Sequence, residues 1–234
     1  MRKRIGRIAA CILTGFLVWS FLLVVVYRDL PPPATPLMLL RLLAGDGMDK
    51  SWRPLDEISP HLVRAAMGGE DGRFCLHDGF DWEAVRAAWR HDGRGGRHLL
   101  GASTISMQTA KNVFLWPGRD WPRKALEAYF TVLIELAWGK RRIMEVYLNV
   151  VEFGRGVYGA EAAARAYFHK SAAALGPDEA ARLAAILPDP RRWSPVRPNS
   201  YVLVHSAFIR AQIPNLPTAL PLPCGEPGQR NLGP

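Results

Sequence analysis

Apolar and charged positions divide the chain unevenly. Arg2, Lys3, Arg4 and Arg7 open it, and Ile8 to Tyr27 then carries no charged residue. As a helix, that run is long enough to cross a hydrocarbon core of about 30 Å. It also exceeds the about 7–15 apolar residues of a cleaved signal. We therefore expect a basic cytoplasmic tail over 1–7 and a retained transmembrane helix over 8–27, with the more positive flank inside. Asp29 to Pro36 reads as a stiff spacer, because Pro31, Pro32 and Pro33 cannot continue a helix. Leu37 to Leu43 is a short apolar run, suited either to lying on a bilayer or to core packing. Residues 28–50 are thus a linker and membrane-proximal segment.

Beyond residue 50 the pattern is helical. Ser59-Pro60 is a hydroxyl cap followed by proline at the first helical position, opening a helix that runs through Val63 and Met67 toward Gly68-Gly69. Asp81 is placed to cap Trp82 to His91, and Ser103 to cap a helix reaching Phe114. Further helices are expected over Trp121 to Trp138, Lys140 to about Glu152, Ala160 to Phe168, Asp178 to Leu187 and Tyr201 to Ile213. Gly93 to Gly96, with Arg94 and Arg97, reads as a basic loop, and 214–234 as a loose tail. Period-2 alternation is almost absent, so 51–213 should be one mainly α domain.

The 234 residues carry a formal net charge of +9, which favours an anionic membrane surface, a phosphate-bearing substrate or nucleic acid as partner. The basic residues form no recognisable reading helix, and an anchored domain lies away from the genome, so a nucleic-acid role has little support. Cys11, Cys75 and Cys224 show no metal spacing. An internal bridge is conceivable only between Cys75 and Cys224, and nothing in the sequence favours it. Gly154-Arg155-Gly156-Val157-Tyr158-Gly159 matches GxGxxG but follows a helical pattern, so it reads as a tight loop between helices, not a dinucleotide site.

Within this basic chain, four acids, a histidine and two aromatics fall between Glu70 and Asp81. Glu70 is either a general acid or base in a cleft or a helix-end carboxylate paired with Arg73 or Arg64. Asp71 and Asp81 suit cap and turn positions, Phe74 the core, and His77 a supporting bond to a backbone carbonyl. Thr104, Gln108 and Lys111 share a helix face, which suits either a phosphate or sugar ligand or plain solvent. Glu127 lies one turn from Arg123 and Lys124: a surface salt bridge, or a carboxylate kept ionised by cations that also hold an anion. Lys111, Arg119, Arg123 and Lys124 would repel one another without an anionic ligand.

Four motifs in order resemble one family. They are Glu70-Asp71-x-x-Phe74-x-x-His77-x-Gly79-x-Asp81; Gly101-Ala102-Ser103-Thr104-Ile105-Ser106-x-Gln108-x-x-Lys111-Asn112; Arg123-Lys124-x-x-Glu127; and Lys140-x-x-Ile143-x-Glu145-x-Tyr147-Leu148-Asn149. Over about Leu55 to Ser194 the chain resembles the family 51 glycosyltransferases, which are peptidoglycan glycosyltransferases, and in particular the anchored members with no transpeptidase domain. The resemblance implies a lysozyme-like, mainly α domain with a small membrane-proximal lobe. It implies lipid II and the growing glycan strand as substrates, polymerised with release of undecaprenyl diphosphate, and a periplasmic catalytic domain on the cell inner membrane.

The resemblance also assigns residues. Glu70 is the implied base and Glu127 the second carboxylate. Lys111, Arg119, Arg123 and Lys124 meet the diphosphate, and Thr104 and Gln108 line the same groove. Asp71, Phe74, His77 and Asn112 are supporting residues. A divalent cation, Mg or Mn, accompanies the diphosphate in some members, although no motif here marks a metal cage; wall-synthesis or division proteins are implied partners. The chain departs from the family at Met107, where a second glutamine is usual; with Gln108 aligned to the functional glutamine, Met107 should be tolerated. Gly68-Gly69 is looser than the family's usual small residues, which implies a more mobile catalytic loop. The rival reading is a lytic enzyme on the same scaffold.

Overall fold

The computed structural model describes residues 2–92, 103–118, 120–215 and 224. The expected loop at 93–97, Arg119 and nearly all of the tail lie outside these residues. In chain order the main elements are α1 (Arg2–Asp29), α2 (Pro36–Leu43), β1 (Asp49–Lys50), α3 (Pro60–Glu70), α4 (Trp82–Asp92), α5 (Ile105–Phe114), α6 (Trp121–Ala137), α7 (Lys140–Val150), β2 (Glu152–Gly154), β3 (Val157–Tyr158), α8 (Ala160–Phe168), α9 (Pro177–Ile186) and α10 (Ser200–Gln212). The fold is mainly α, as expected.

Capping chemistry sets many of the helix starts. Ser59 Oγ accepts from His61 N at 3.3 Å, Asp120 Oδ1 from Arg123 N at 2.9 Å and Asn199 Oδ1 from Val202 N at 2.9 Å. Asp81 Oδ1 caps α4 as predicted, accepting from Glu83 N and Ala84 N at 3.0 and 2.9 Å. Helix α5 starts one residue later than predicted. Thr104, not Ser103, is its cap, and its hydroxyl accepts from Met107 N at 3.1 Å.

The core gathers α3, α5, α7, α8 and α9 around side chains with no exposed surface, among them Leu62, Phe74, Ile105, Ile143, Tyr147 and Ile186. Gly68 and Gly69 belong to the last turn of α3, and Gly69 has a packing role. A Cβ on Gly69 would stand 2.9 Å from Ile209 Cδ1 on α10 and 3.8 Å from Ala184 Cβ on α9, so the missing side chain lets these helices approach.

The expected tight loop at 154–159 is part of a small sheet. Strand β3 pairs antiparallel with β2 and parallel with β1. These strands are too short to leave an alternating pattern in the sequence. Gly156 turns the hairpin at φ +71°, and a Cβ there would fall 2.2 Å from the Asp46 carbonyl oxygen.

Helix α1 is largely exposed, and its contacts with the domain follow one face. Ser20 Oγ lies 2.7 Å from Tyr129 OH, Trp138 Nε1 donates to Val24 O at 2.8 Å, and Arg142 donates to Tyr27 O at 3.0 Å and Leu30 O at 2.8 Å. The last pair satisfies carbonyls at the helix end that have no partner within the helix. Cys75 and Cys224 form a disulfide, a pairing that no spacing or motif had favoured; it ties residue 224 to the acidic segment across 149 positions.

Candidate active site

Glu70 is the last residue of α3, where the helix stops against the loop carrying Asp71. Its Oε2 accepts a hydrogen bond from Gln108 Nε2 at 2.7 Å. Gln108 is in turn met at Oε1 by the hydroxyl of fully buried Tyr147, at 3.4 Å. Glu70 keeps some open surface toward a cleft, yet protein surrounds most of its carboxylate. That burial raises its pKa above the ordinary value, while the Gln108 bond and the Lys111 charge pull it back. The Tyr147 hydroxyl is pushed well above its usual range by burial, then by the Glu70 and Asp71 charges.

The cleft beside Glu70 has a volume of about 250 Å³ and is lined by Gly69, Glu70, Asp71, Arg73, Ser103 and Thr104, among others. Its walls are fastened by residues of the acidic segment. Asp71 bonds His77 Nε2 at 3.0 Å through Oδ1, and its Oδ2 accepts from Ile105 N at 3.0 Å, joining the loop to the start of α5. His77 therefore supports the loop through a carboxylate, not through the backbone carbonyl expected. Thr104 is 3% exposed, and besides capping α5 its hydroxyl donates to Gly79 O at 2.6 Å. Both bonds are internal and brace the cleft wall that Thr104 also lines. Phe74 is fully buried beneath Lys140, whose Nζ stands 4.6 Å from the ring centroid. Asn112 is buried on α5.

The second carboxylate has a different environment. Glu127 is 3% exposed on α6; its Oε2 accepts from Arg123 at 2.6 Å and its Oε1 pairs with Lys124. Arg123 is 6% exposed, and its Nε–H is buried with no partner. An unpaired buried donor on a cation is costly unless a ligand completes it, and an anion is the fitting one. Lys124 Nζ reaches Ser103 Oγ at 3.5 Å, linking the cations to the cleft wall. Lys111 lies between the two acids: burial lowers its pKa, the Glu127 charge raises it, Arg123 and Lys124 lower it, and Glu70 raises it. Three cations, Lys111, Arg123 and Lys124, against the two acids Glu70 and Glu127 leave positive charge over. Arg119 lies outside the described residues.

Among the described residues, no group of three or more His, Cys, Asp or Glu side chains is placed to hold a metal ion. The carboxylates of Asp71 and Glu127 are already engaged, so these residues do not fit a protein-held divalent cation, and no step below is routed through one.

Sequence reasoning had named Tyr147, Glu145 and Asn149 only as members of a motif. Asn149 exchanges bonds of 2.8 Å with the backbone of Arg53 through both ends of its amide, and Glu145 Oε2 accepts from Leu55 N at 3.1 Å. They pin the segment preceding α3 to α7. The Tyr147 hydroxyl reaches the residue that holds Glu70.

Comparison with known proteins places this geometry. Residues 39–212 match the family model described as Transglycosylase. The chain belongs to the transglycosylase family. It is 56% identical over 214 residues to the "Biosynthetic peptidoglycan transglycosylase" of Rhodospirillum centenum, covering 91% of this chain and 92% of that protein. Proteins of the same name from Caulobacter vibrioides and Ectopseudomonas mendocina are 53% identical over 205 residues and 49% identical over 222. The Caulobacter alignment covers 84% of this chain and 89% of the relative; the Ectopseudomonas alignment covers 92% and 91%. The match to this transglycosylase thus spans the acidic segment, the cation cluster and the α3, α5 and α6 helices that carry them.

Proposed function

We propose that this transglycosylase is a peptidoglycan glycosyltransferase of cell-wall synthesis that polymerises lipid II. The acceptor sugar's 4-hydroxyl oxygen attacks C1 of the donor sugar. The C1–O bond to the diphosphate breaks, and its electron pair leaves with undecaprenyl diphosphate. Glu70 takes the hydroxyl proton, and attack opposite the leaving group inverts the anomeric carbon. A base of raised pKa is a stronger proton acceptor, and general-base help of this kind contributes roughly 10²- to 10⁴-fold. Lys111, Arg123 and Lys124 meet the charge that develops on the diphosphate, and Glu127 holds Arg123 and Lys124 in position.

The observation that carries this reading is the contrast between the two carboxylates: Glu70 is bonded to a neutral amide, and Glu127 lies between two cations with one buried guanidinium N–H unmatched. A raised carboxyl pKa alone would also suit the general acid of a lytic enzyme. The cations argue otherwise, because a departing sugar needs a proton and a departing diphosphate needs positive charge. The relatives' shared name is also biosynthetic.

Helix α1, the one helix among the described residues long and apolar enough to span a bilayer, would hold the domain at the outer face of the cytoplasmic membrane. The Cys75–Cys224 disulfide suits that oxidising side. The test is incubation of the full-length chain with labelled lipid II and separation of the polymer on a gel. Polymer is expected from the parent and a near-complete loss in Glu70→Gln. Parent-level polymerisation by Glu70→Gln, or by Arg123→Ala, would remove that residue from its role. Soluble fragments released from mature wall would favour the lytic reading.

A further inference from the structure

The acidic segment between α3 and α4 forms one wall of the cleft. Apart from a short helical turn over Phe74–Leu76 it has no regular structure, and Gly72, Arg73, Leu76 and Asp78 are exposed. Its ends are fastened to neighbouring helices. Asp71 accepts from Ile105 N on α5, Gly79 O accepts from the Thr104 hydroxyl that caps α5, and Asp81 caps α4. In its middle, Phe74 is fully buried in the core and Cys75 is bonded to Cys224. His77 bonds Asp71 inside the same segment, which stiffens the segment without tying it elsewhere.

The far end of the disulfide belongs to the chain behind the site. Cys224 follows α10 and a short helical turn over Ile213–Asn215, and both of these pack on α3. Gly69, the residue before Glu70, lies against Ile209 on α10. The Glu70 carboxylate thus stands between α10, which supports its helix from behind, and the segment in front, which the disulfide ties to the chain that follows α10.

We propose that the Cys75–Cys224 disulfide is a positioning element of the active site, and that its reduction by a dithiol lets the acidic segment shift and slows catalysis. This rests on the reading of Glu70 as the base. Asp71 is next to Glu70 and fastens the start of α5, the helix that presents Gln108. A shift of Cys75 reaches Asp71 through the short turn, in which Phe74 N donates to Asp71 O at 3.0 Å and Leu76 N to Arg73 O at 2.7 Å. A displacement of about 1 Å at a catalytic group can cost about 10²-fold in rate. Arg123 and Lys124 stand on α6, outside the segment, so reduction should lower kcat and leave KM near the parent value.

Neither Cys75 nor Cys224 is fully buried, so a reductant can reach the bond. The third cysteine, Cys11, lies in the apolar run of α1 and offers the pair no competing partner. In the exchange, a thiolate of the dithiol attacks one sulfur, the Cys75–Cys224 bond breaks and a mixed disulfide forms. The second thiolate of the dithiol then displaces that sulfur. Two electrons and two protons pass to Cys75 and Cys224, and the dithiol leaves as its own disulfide.

The test uses the full-length chain in detergent, with its oxidation state read by thiol alkylation and intact mass. Dithiothreitol added to the folded parent should open both thiols to alkylation and raise hydrogen exchange in peptides covering 71–81. It should lower kcat for lipid II polymerisation about tenfold at unchanged KM. Reoxidation with oxidised glutathione should reverse these changes. The charged groups facing Glu70 are Asp71 and Lys111, and burial is the main cause of its raised pKa. Water admitted by a loosened wall relieves that burial, so the acid limb of kcat/KM should move downward on reduction. A bond that only adds global stability would leave that limb in place. Cys224→Ser should match the reduced parent and ignore dithiothreitol. Unchanged exchange over 71–81 on reduction, parent kcat in the reduced chain, or equal losses to dithiothreitol in parent and Cys224→Ser would overturn the proposal. If Cys224→Ser does not fold, the parent, reduced after folding, carries the comparison. If the oxidised parent polymerises no lipid II, the reading of the site fails, and hydrogen exchange still decides whether the bond holds the segment.

Discussion

Replacing Gln108 with leucine tests the central bond of the site. The Gln108 amide donates to Glu70 Oε2 at 2.7 Å and stabilises the ionised carboxylate. Burial and the Asp71 charge push the other way, and the Lys111 charge sides with the amide. A hydrogen bond to a charged group contributes about 1.5–3 kcal/mol. At about 1.36 kcal/mol per pH unit that corresponds to roughly one to two units. Glu70 faces the cleft and water replaces part of the lost bond, so about one unit is expected. Because the bond favours the charged form, its loss raises the pKa. A general base must be ionised, so the acid limb of kcat/KM for lipid II polymerisation should move upward by about one unit in Gln108→Leu. Tyr147→Phe, which frees Gln108 Oε1 from its 3.4 Å contact, should produce a smaller shift of the same sign. Stability follows the same linkage: a folded-state pKa above the unfolded one means the folded chain binds more protons, so stability falls as pH rises from about 4.5 through the raised value. The variant should extend that fall to higher pH. An unmoved acid limb, or one shifted downward, would refute the assignment of Glu70 as the base held by Gln108.

Three further outcomes follow from contacts elsewhere in the structure. Glu127→Gln leaves the buried Arg123 guanidinium without its counter-charge, and chemical denaturation should show a loss of about 3 kcal/mol or more; an unchanged midpoint would mean that the pair is not buried as described. Thr104→Val removes the hydroxyl that caps α5 and bonds Gly79 O; it should lower stability by about 1–2 kcal/mol while the KM for lipid II stays at the parent value, and a raised KM with normal stability would make the hydroxyl a substrate contact instead. Gly156→Ala combines a positive φ with a Cβ 2.2 Å from a backbone oxygen and should cost about 3 kcal/mol or more, whereas Gly69→Ala meets only the mobile end of Ile209 and should cost about 1 kcal/mol; thermal melting of the two variants would rank them.

Local signals in the sequence were readable because their physics is local. Ser59-Pro60 and Asp81 announce helix starts through bonds to backbone N–H groups two or three residues away, and the long apolar run of α1 needs no partner to be recognised. Thr104 and Ser103 both carry a capping hydroxyl; the one that caps, Thr104, also bonds Gly79 O, 25 positions away. The remaining features depend on where the helices come to lie. Tyr147 meets Gln108 across 39 positions, Asp71 meets Ile105 N across 34 and Asn149 meets Arg53 across 96. The closure of Cys75 on Cys224 likewise has no local signature. The motif order could place the acids and cations in one region, but it could not say that Glu127 is neutralised where it stands or that Thr104 faces inward.

That last distinction separates the roles of the two acids more firmly than position alone. Both are carboxylates on helices beside the same lysine, so proximity to substrate would make either a candidate base. The oxygens of Glu127 are matched by two cations, Arg123 on Oε2 and Lys124 on Oε1. Glu70 has only a neutral amide in direct contact, in surroundings that already favour its protonated form. A general base must reach the proton it takes, so it needs an oxygen that the protein has not already filled. Glu70, open to the cleft and held by one neutral amide, leaves an oxygen free for substrate, whereas both oxygens of Glu127 are taken by cations. The asymmetry originates in α6, where Arg123, Lys124 and Glu127 fall on adjoining turns, and in α5, which presents Gln108 to one acid and Lys111 to both.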